Sequence, residues 1–209
     1  MTLQTWWIFF CAAALISSTP GPNMLHVMTR AMRFGVARSI FAMAGCLSGV
    51  LTLFGLSAAG MGALLSAMPE LFTIVKVAGA AYLIYLGIKA WRSDVADLAL
   101  PEGEIGGPVL SAGALFRGGL MVGISNPKAL IFAAAFFPQF VNPLAPKAPQ
   151  LALLVATFAA VDSLFYFIYA LGGRSIAGRL RSRAWRRALD RISGGLFMGF
   201  GASLLAWRG

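Results

Sequence analysis

The chain has 209 residues, of which 59% are hydrophobic and only 11% charged, with a formal net charge of +10. A soluble domain carries about 25% charged residues, so a chain with a mean hydropathy of +0.79 cannot clothe its surface in water and is expected in a bilayer. The net charge and a pI near 10.6 do not point to nucleic acid, because the basic residues alternate from one connection to the next as membrane topology demands.

The opening run MTLQTWWIFFCAAALISS looks like a secretory signal, but no Lys or Arg precedes its apolar core and STPGPN is a poor cleavage site. It reads as a retained first span. Six segments read as spans: Leu3 to Met28, Arg38 to Leu64, Leu71 to Trp91, Ala114 to Phe137, Gln150 to Leu171 and Ile192 to Trp207. Each reaches the ~20 residues that cross a hydrocarbon core of ~30 Å, except the last, which borrows from its flanks.

The first span is interrupted by ISSTPGPN, Ile16 to Asn23, and the fourth by SNPKAL, Ser125 to Leu130. A helix broken inside lipid leaves unpaired N–H and C=O groups that protein, water or a ligand must satisfy, so the breaks are expected to face a cavity. Half-helix N-termini attract anions and unwound carbonyls hold cations, which together suit a zwitterion. Each break carries an asparagine, Asn23 or Asn126, and a nearby hydroxyl, Thr19 or Ser125. The bland alternative is that Pro20, Pro22 and Pro127 merely kink their helices.

Between the third and fourth spans, DVADLALPEGEIGGPVLS holds four acids and two prolines and reads as a cytoplasmic linker. It divides the chain into residues 1–93, a linker at 94–112, and residues 113–209. Three spans per half mean that a duplicated half lies inverted. At a fixed offset, Lys76 falls on Arg191, Gly79 on Gly194, Tyr82 on Phe197 and Tyr85 on Phe200. The predicted fold is thus an all-α membrane protein of six transmembrane helices in two inverted three-helix repeats, the first helix of each half broken.

Thirteen of the seventeen basic residues fall in the connections after spans one, three and five. The positive-inside rule then puts both termini outside the cytoplasm. The run GRSIAGRLRSRAWRRALDR is expected along the inner leaflet, with Trp185 at the headgroups. Trp6, Trp7, Trp91 and Trp207 stand at span ends as interfacial anchors.

Two ionisable residues stand inside spans. Asp162 lies near the middle of the fifth, where an aspartate costs roughly 2.5–3.5 kcal/mol even on the mildest insertion scale. Lys128 follows the Asn-Pro break directly. Either the two meet across the cavity or each meets one end of a substrate; a buried structural pair is the alternative reading. An aspartate that a proton can neutralise suits the coupling site of an ion-driven carrier.

His26, the only histidine, reads as a packing residue more readily than as a proton relay. Cys11 and Cys46 sit in apolar runs as packing residues, not as a disulfide or metal pair. Gly45 with Gly49, Gly119 with Gly123 and Gly195 with Gly199 have the spacing of close helix approach. No metal or cofactor is expected, and nothing resembles the nucleophile and base of an enzyme. A channel without proton coupling remains the alternative, because broken helices also line pores.

The combination of STPGPN, GAAYLIYLGIKAWR, SNPKALIFAAAFFPQFV and Val161-Asp162 resembles the LysE/RhtB family of amino-acid exporters over nearly the whole chain. The opening MTLQTWW resembles its homoserine and homoserine-lactone branch. The resemblance implies a multi-pass carrier of the inner (plasma) membrane that expels amino acids or close relatives in exchange for protons. It implies that Pro20, Gly21, Pro22, Asn126, Pro127, Lys128 and Asp162 occupy the family's characteristic positions. The lysine-exporting branch tends to carry an acid in span two, and Gly45 to Leu51 has none. That favours a neutral substrate such as threonine, homoserine or its lactone. Expected substrate contacts are therefore Thr19, Pro20, Gly21, Pro22, Asn23, Ser125, Asn126, Pro127 and Lys128, with Asp162 coupling to protons. Partners are the substrate, protons and the lipid bilayer, with association into a homo-oligomer left open.

Overall fold

The computed structural model describes residues 1–67, 110–142, 144–173, 175, 176 and 182–206, with positions 74, 77, 80, 81, 84, 85, 87, 88, 91 and 92. The predicted linker at 94–112 lies almost wholly outside the described residues, as do Lys76, Gly79, Tyr82 and Trp207. Among the described residues all regular structure is helical. The elements are α1 (Leu3–Ser18), α2 (Pro22–Phe34), α3 (Val36–Ala67), α4 (Ala112–Ser125), α5 (Pro127–Ile131), α6 (Lys147–Leu171) and α7 (Arg183–Ala206). A π turn (Phe132–Phe136) and a 3-10 turn (Phe137–Phe140) follow α5.

Among the described residues two helices are long and apolar enough to cross a bilayer alone, α3 over Val36–Gly60 and α6 over its 25 residues. Two bent pairs are long and apolar enough when each is taken as one broken span: α1 meets α2 at 52°, and α4 meets the segment from Pro127 to Phe140 at 51°. The predicted breaks in spans one and four are thus present as bends. Large apolar side chains project outward, as at Leu56 and Leu164, while Asn23, Asn126, Gln150, Thr157 and Asp162 are buried. Large apolar side chains on the outside of an already apolar core are what lipid, unlike water, favours, and the chain is an all-helical membrane protein.

Glycines set the register. A Cβ at Gly45 or Gly119 would strike the facing backbone at Phe116 and Ala42, and one at Gly49 or Gly123 would meet the backbone at Ile124 and Cys46. Residue numbers rise together along both helices, so α3 and α4 run parallel at backbone contact. The second and fourth spans of an alternating topology must do so. On α7, by contrast, the close approach uses Gly194 against Gly87 and Gly201 against Ala80. Gly199 faces open space and Gly195 only the rim of Trp91, so the predicted 195/199 pair is not the packing face.

Boundaries differ from the sequence reading where charge misled. Helix α2 continues past Met28 to Phe34, and only Gly35 separates it from α3. Gly35 has φ of 81°, a conformation that needs glycine, and its N–H closes α2 on Ala31 O at 2.9 Å. Helix α7 starts at Arg183, so the second half of the basic run forms its first turns rather than a separate surface element. Arg, Ala and Leu are good helix formers and no Gly or Pro separates Arg183 from Ile192, so nothing stops the helix there. Arg38 donates to Leu110 O at 2.7 Å and Gly173 lies against Met32, so the end of α2, the start of α3, the approach to α4 and the end of α6 meet at one end of the bundle.

Two apolar clusters flank the level of the breaks. One, built on Phe9, Phe54, Phe132, Phe137 and Phe158, joins α1, α3, α6 and the π turn, with Phe54 stacked on Phe137 at 4.7 Å. The other holds Met24, Val27 and Met28 of α2 against Tyr166 and Tyr169 of α6. The Trp6 indole donates to Thr157 of α6 at 3.0 Å, so this ring is tied into the bundle rather than left to the headgroups.

Candidate functional site

Pro20 explains the first break. It has no N–H, and it pushes Thr19 out of the helical region, to φ −74° and ψ 129°. Gly21 is extended as well, and Pro22 restarts the helix at a position where its missing N–H costs nothing. The break leaves the last carbonyls of α1 without helical partners. The Ser18 and Thr19 hydroxyls both turn back to Leu15 O at 2.9 Å. Tyr169 of α6 donates to Ser18 O at 2.9 Å. Lys128 Nζ donates to Ile16 O at 2.7 Å and to Thr19 O at 2.9 Å. The end of the first half-helix is thus closed by side chains from later in the chain.

The second break is shorter than the sequence suggested. Only Asn126 leaves the helix, at φ −70° and ψ 109°. Its side chain accepts from Lys128 N at 3.0 Å, and Pro127 follows at the first helical position, so the chain re-enters a helix at once. That turn points Lys128 at the first break. A lysine placed there spans the two breaks.

Asp162 approaches from α6. Its Oδ1 accepts from Ser17 Oγ at 2.8 Å, while its Oδ2 is buried without a well-formed hydrogen bond and the carboxylate faces the Tyr166 hydroxyl. One turn on, the buried Tyr166 hydroxyl accepts from Asn23 Nδ2 at 3.0 Å, leaving Asn23 Oδ1 buried and unpartnered. No side chain caps the first N–H groups of α2, because Gly21 stands at its N-cap. A small cleft, open on one side, lies among these groups, with Ile16, Val50, Phe132 and Phe158 as apolar wall.

Of the residues singled out from the sequence, Gly21, Asn23, Asn126, Lys128 and Asp162 line this one cavity. Lys128 and Asp162 do so without an ion pair between them, since each is spent on the first break from its own side. Thr19 contributes its carbonyl, through Lys128, but its hydroxyl bonds back along the helix, and Pro20, Pro22 and Pro127 shape the backbone without lining the space. Ser125 is exposed and bonds back to Met121 O, as hydroxyls in a last helical turn readily do. His26 stands outside the cavity beside Gly118, with Nε2 buried and unpartnered. The sequence reading missed Ser17 and Tyr166. Tyr166 could have been found from its spacing, four residues beyond Asp162 on the same helical face.

Among the described residues no cluster of His, Cys, Asp or Glu could hold a metal ion. The site instead offers the Asp162 carboxylate, the Asn23 amide oxygen and, at Asn23 itself, the uncapped start of α2. Such an arrangement can hold a small molecule with a cationic and an anionic end.

The sequence matches the family described as LysE type translocator over residues 14–207. It is 34% identical over 212 aligned residues to the homoserine/homoserine lactone efflux protein of Salmonella typhimurium, covering 100% of this chain and 99% of the relative. It is 31% identical to the leucine efflux protein of the same organism, covering 95% of this chain and 93% of the relative. An uncharacterised membrane protein of Pseudomonas aeruginosa, PA4757, is 35% identical, with 97% and 95% covered. No solved structure matches. With a family match across nearly its whole length and relatives aligned end to end, the chain belongs to the LysE family of translocators.

Proposed function

We propose that the protein exports neutral amino acids or close derivatives across the inner membrane, in exchange for protons, by alternating access around the cavity between the two breaks. The observation that carries the reading is the buried Asp162 carboxylate and the Asn23 amide oxygen lining one cleft together with the uncapped start of α2. The substrate ammonium sits on the two acceptors and its carboxylate on the first N–H groups of α2, where the helix dipole favours an anion. A proton arriving at Asp162 removes the charge that holds the ammonium, and the substrate leaves. Relatives named for homoserine, homoserine lactone and leucine efflux support a substrate with one ammonium and a neutral side chain.

In this reading the chain forms six spans in two inverted halves, with both termini outside the cytoplasm. The parallel α3–α4 contact supports it. The deciding experiment loads vesicles containing the protein with labelled threonine, homoserine, homoserine lactone or leucine and imposes a proton gradient. Gradient-driven efflux of at least one is expected, and Asp162→Asn should abolish it while still inserting. Full efflux from Asp162→Asn would remove the carboxylate from the coupling role. A steady current without saturation would indicate a channel instead.

A further inference from the structure

We infer that Lys128 is a resident ammonium: it fills the cation seat formed by the Ile16 and Thr19 carbonyls and thereby restricts the substrate to a single positive charge. The inference rests on the export reading for its substrate class, but the seat itself is a separate feature of the first break.

The carbonyls at the end of a half-helix form the negative pole of its dipole, and in a membrane they are the natural place for a cation. Here the cation is built in. Nζ lies 2.7 Å from Ile16 O and 2.9 Å from Thr19 O, the distances at which a free ammonium would be held. Gly21 makes the reach possible, since a Cβ there would lie 3.0 Å from Nζ and 3.3 Å from Cε. The lysine stem crosses the break where the chain has no side chain.

With that seat filled, the cavity has one fixed cation, Lys128, and one carboxylate, Asp162. The cavity's side-chain acceptors without a well-formed hydrogen bond are Asp162 Oδ2 and Asn23 Oδ1, and since the carboxylate also faces the Tyr166 hydroxyl they can receive one ammonium and no second. A zwitterion adds no net charge. A diamino acid would bring a second ammonium into a space whose carbonyl seat is taken, and an unpaired buried charge is costly. Emptying the seat should reverse the preference, because a second substrate ammonium could then take the place of Nζ.

The test uses counterflow in vesicles with the full chain, comparing threonine and leucine with 2,4-diaminobutyrate, ornithine and lysine. The parent protein is expected to favour the monoamino acids by about tenfold or more, and Lys128→Met to shift that ratio toward a diamino acid by at least about tenfold. A Lys128→Met protein with the parental ratio would overturn the inference, as would a parent that moves both classes equally. If Lys128 variants do not insert, Gly21→Val, which crowds Nζ off its seat, should relax the ratio in the same direction; an unchanged ratio there also overturns it. If the parent moves no amino acid at all, the export reading fails while the seat stays testable. Ethylammonium should then raise the Tm of purified Lys128→Ala by about 2–4 °C and leave the parent unmoved. Equal shifts in both proteins, or none, would dismiss the seat.

Discussion

Lys128 Nζ donates to the carbonyl of Ile16 across 112 positions of sequence, at 2.7 Å. Through this bond the second break closes the first. It also accounts for a lysine in the middle of a span: the ammonium meets carbonyls that a broken helix has left without partners, and each would be costly in lipid if left alone. Lys128 and Asp162 therefore both act on the stretch from Ile16 to Thr19, Lys128 through the backbone of Ile16 and Thr19 and Asp162 through the side chain of Ser17.

Removing the Tyr166 hydroxyl tests the polar chain behind the cavity. Tyr166→Phe keeps the ring but leaves Asn23 Nδ2 buried without its acceptor, which is expected to cost ~1–3 kcal/mol. Thermal unfolding in detergent reads the loss. Because Asn23 then turns to find another acceptor, the KM for exported substrate should rise more than the maximal rate falls.

The glycine contact between α3 and α4 separates packing from composition. Gly119→Ala is expected to abolish a stable fold, since its methyl group would enter the backbone of Ala42 on the facing helix. Gly55→Ala has nothing within 4 Å of its new methyl and should be neutral or gain about 0.5–1 kcal/mol through helix propensity. Size-exclusion profiles and melting of the two variants check the contrast.

Gln150 governs the connection before α6. Its amide oxygen accepts from Asn142 N at 2.9 Å, and its amide nitrogen donates to the carbonyls of Asn142, Ala145 and Pro146 at 3.1, 3.3 and 3.0 Å. Gln150→Leu keeps the bulk but strands these groups, with an expected loss of ~1–3 kcal/mol. Limited proteolysis should then cut between residues 142 and 146, where the parent resists.

Orientation is tested by cysteine labelling in a background with Cys11→Ser; Cys46 is buried and should stay inert. Leu144, which is 95% exposed, lies in a connection assigned to the outside. Leu144→Cys should react with an impermeant maleimide in intact cells, and Ala37→Cys only after permeabilisation. The reverse pattern would invert the topology.

Much of this protein follows from composition and local chemistry. Too few charges for water, proline and glycine inside apolar runs, and an aspartate in mid-span are properties of short stretches, and each acts wherever the chain is placed. They were enough to foresee a helical membrane protein with broken first and fourth spans, and a cavity gathering Asn23, Asn126, Lys128 and Asp162. What α7 does with its basic start was not legible, because charge counts locate membrane boundaries but do not end helices. Nor was the choice among hydroxyls: Thr19 and Ser125 turn back on their own helices, while Ser17 meets Asp162.

That choice belongs to tertiary structure. Which donor reaches which acceptor depends on how far each helix slides along its neighbours, and the slide is set where Gly45, Gly49, Gly119 and Gly123 let two backbones touch. A hydrogen bond fails if its partners are misplaced by about 1 Å, a tolerance that no sequence interval can specify. The chain alone therefore decided that there would be breaks within two apolar helical runs. The packing of α3 on α4 and of α6 on α1 and α2 decided that Lys128 would close one of them and leave Asp162 with an oxygen to offer.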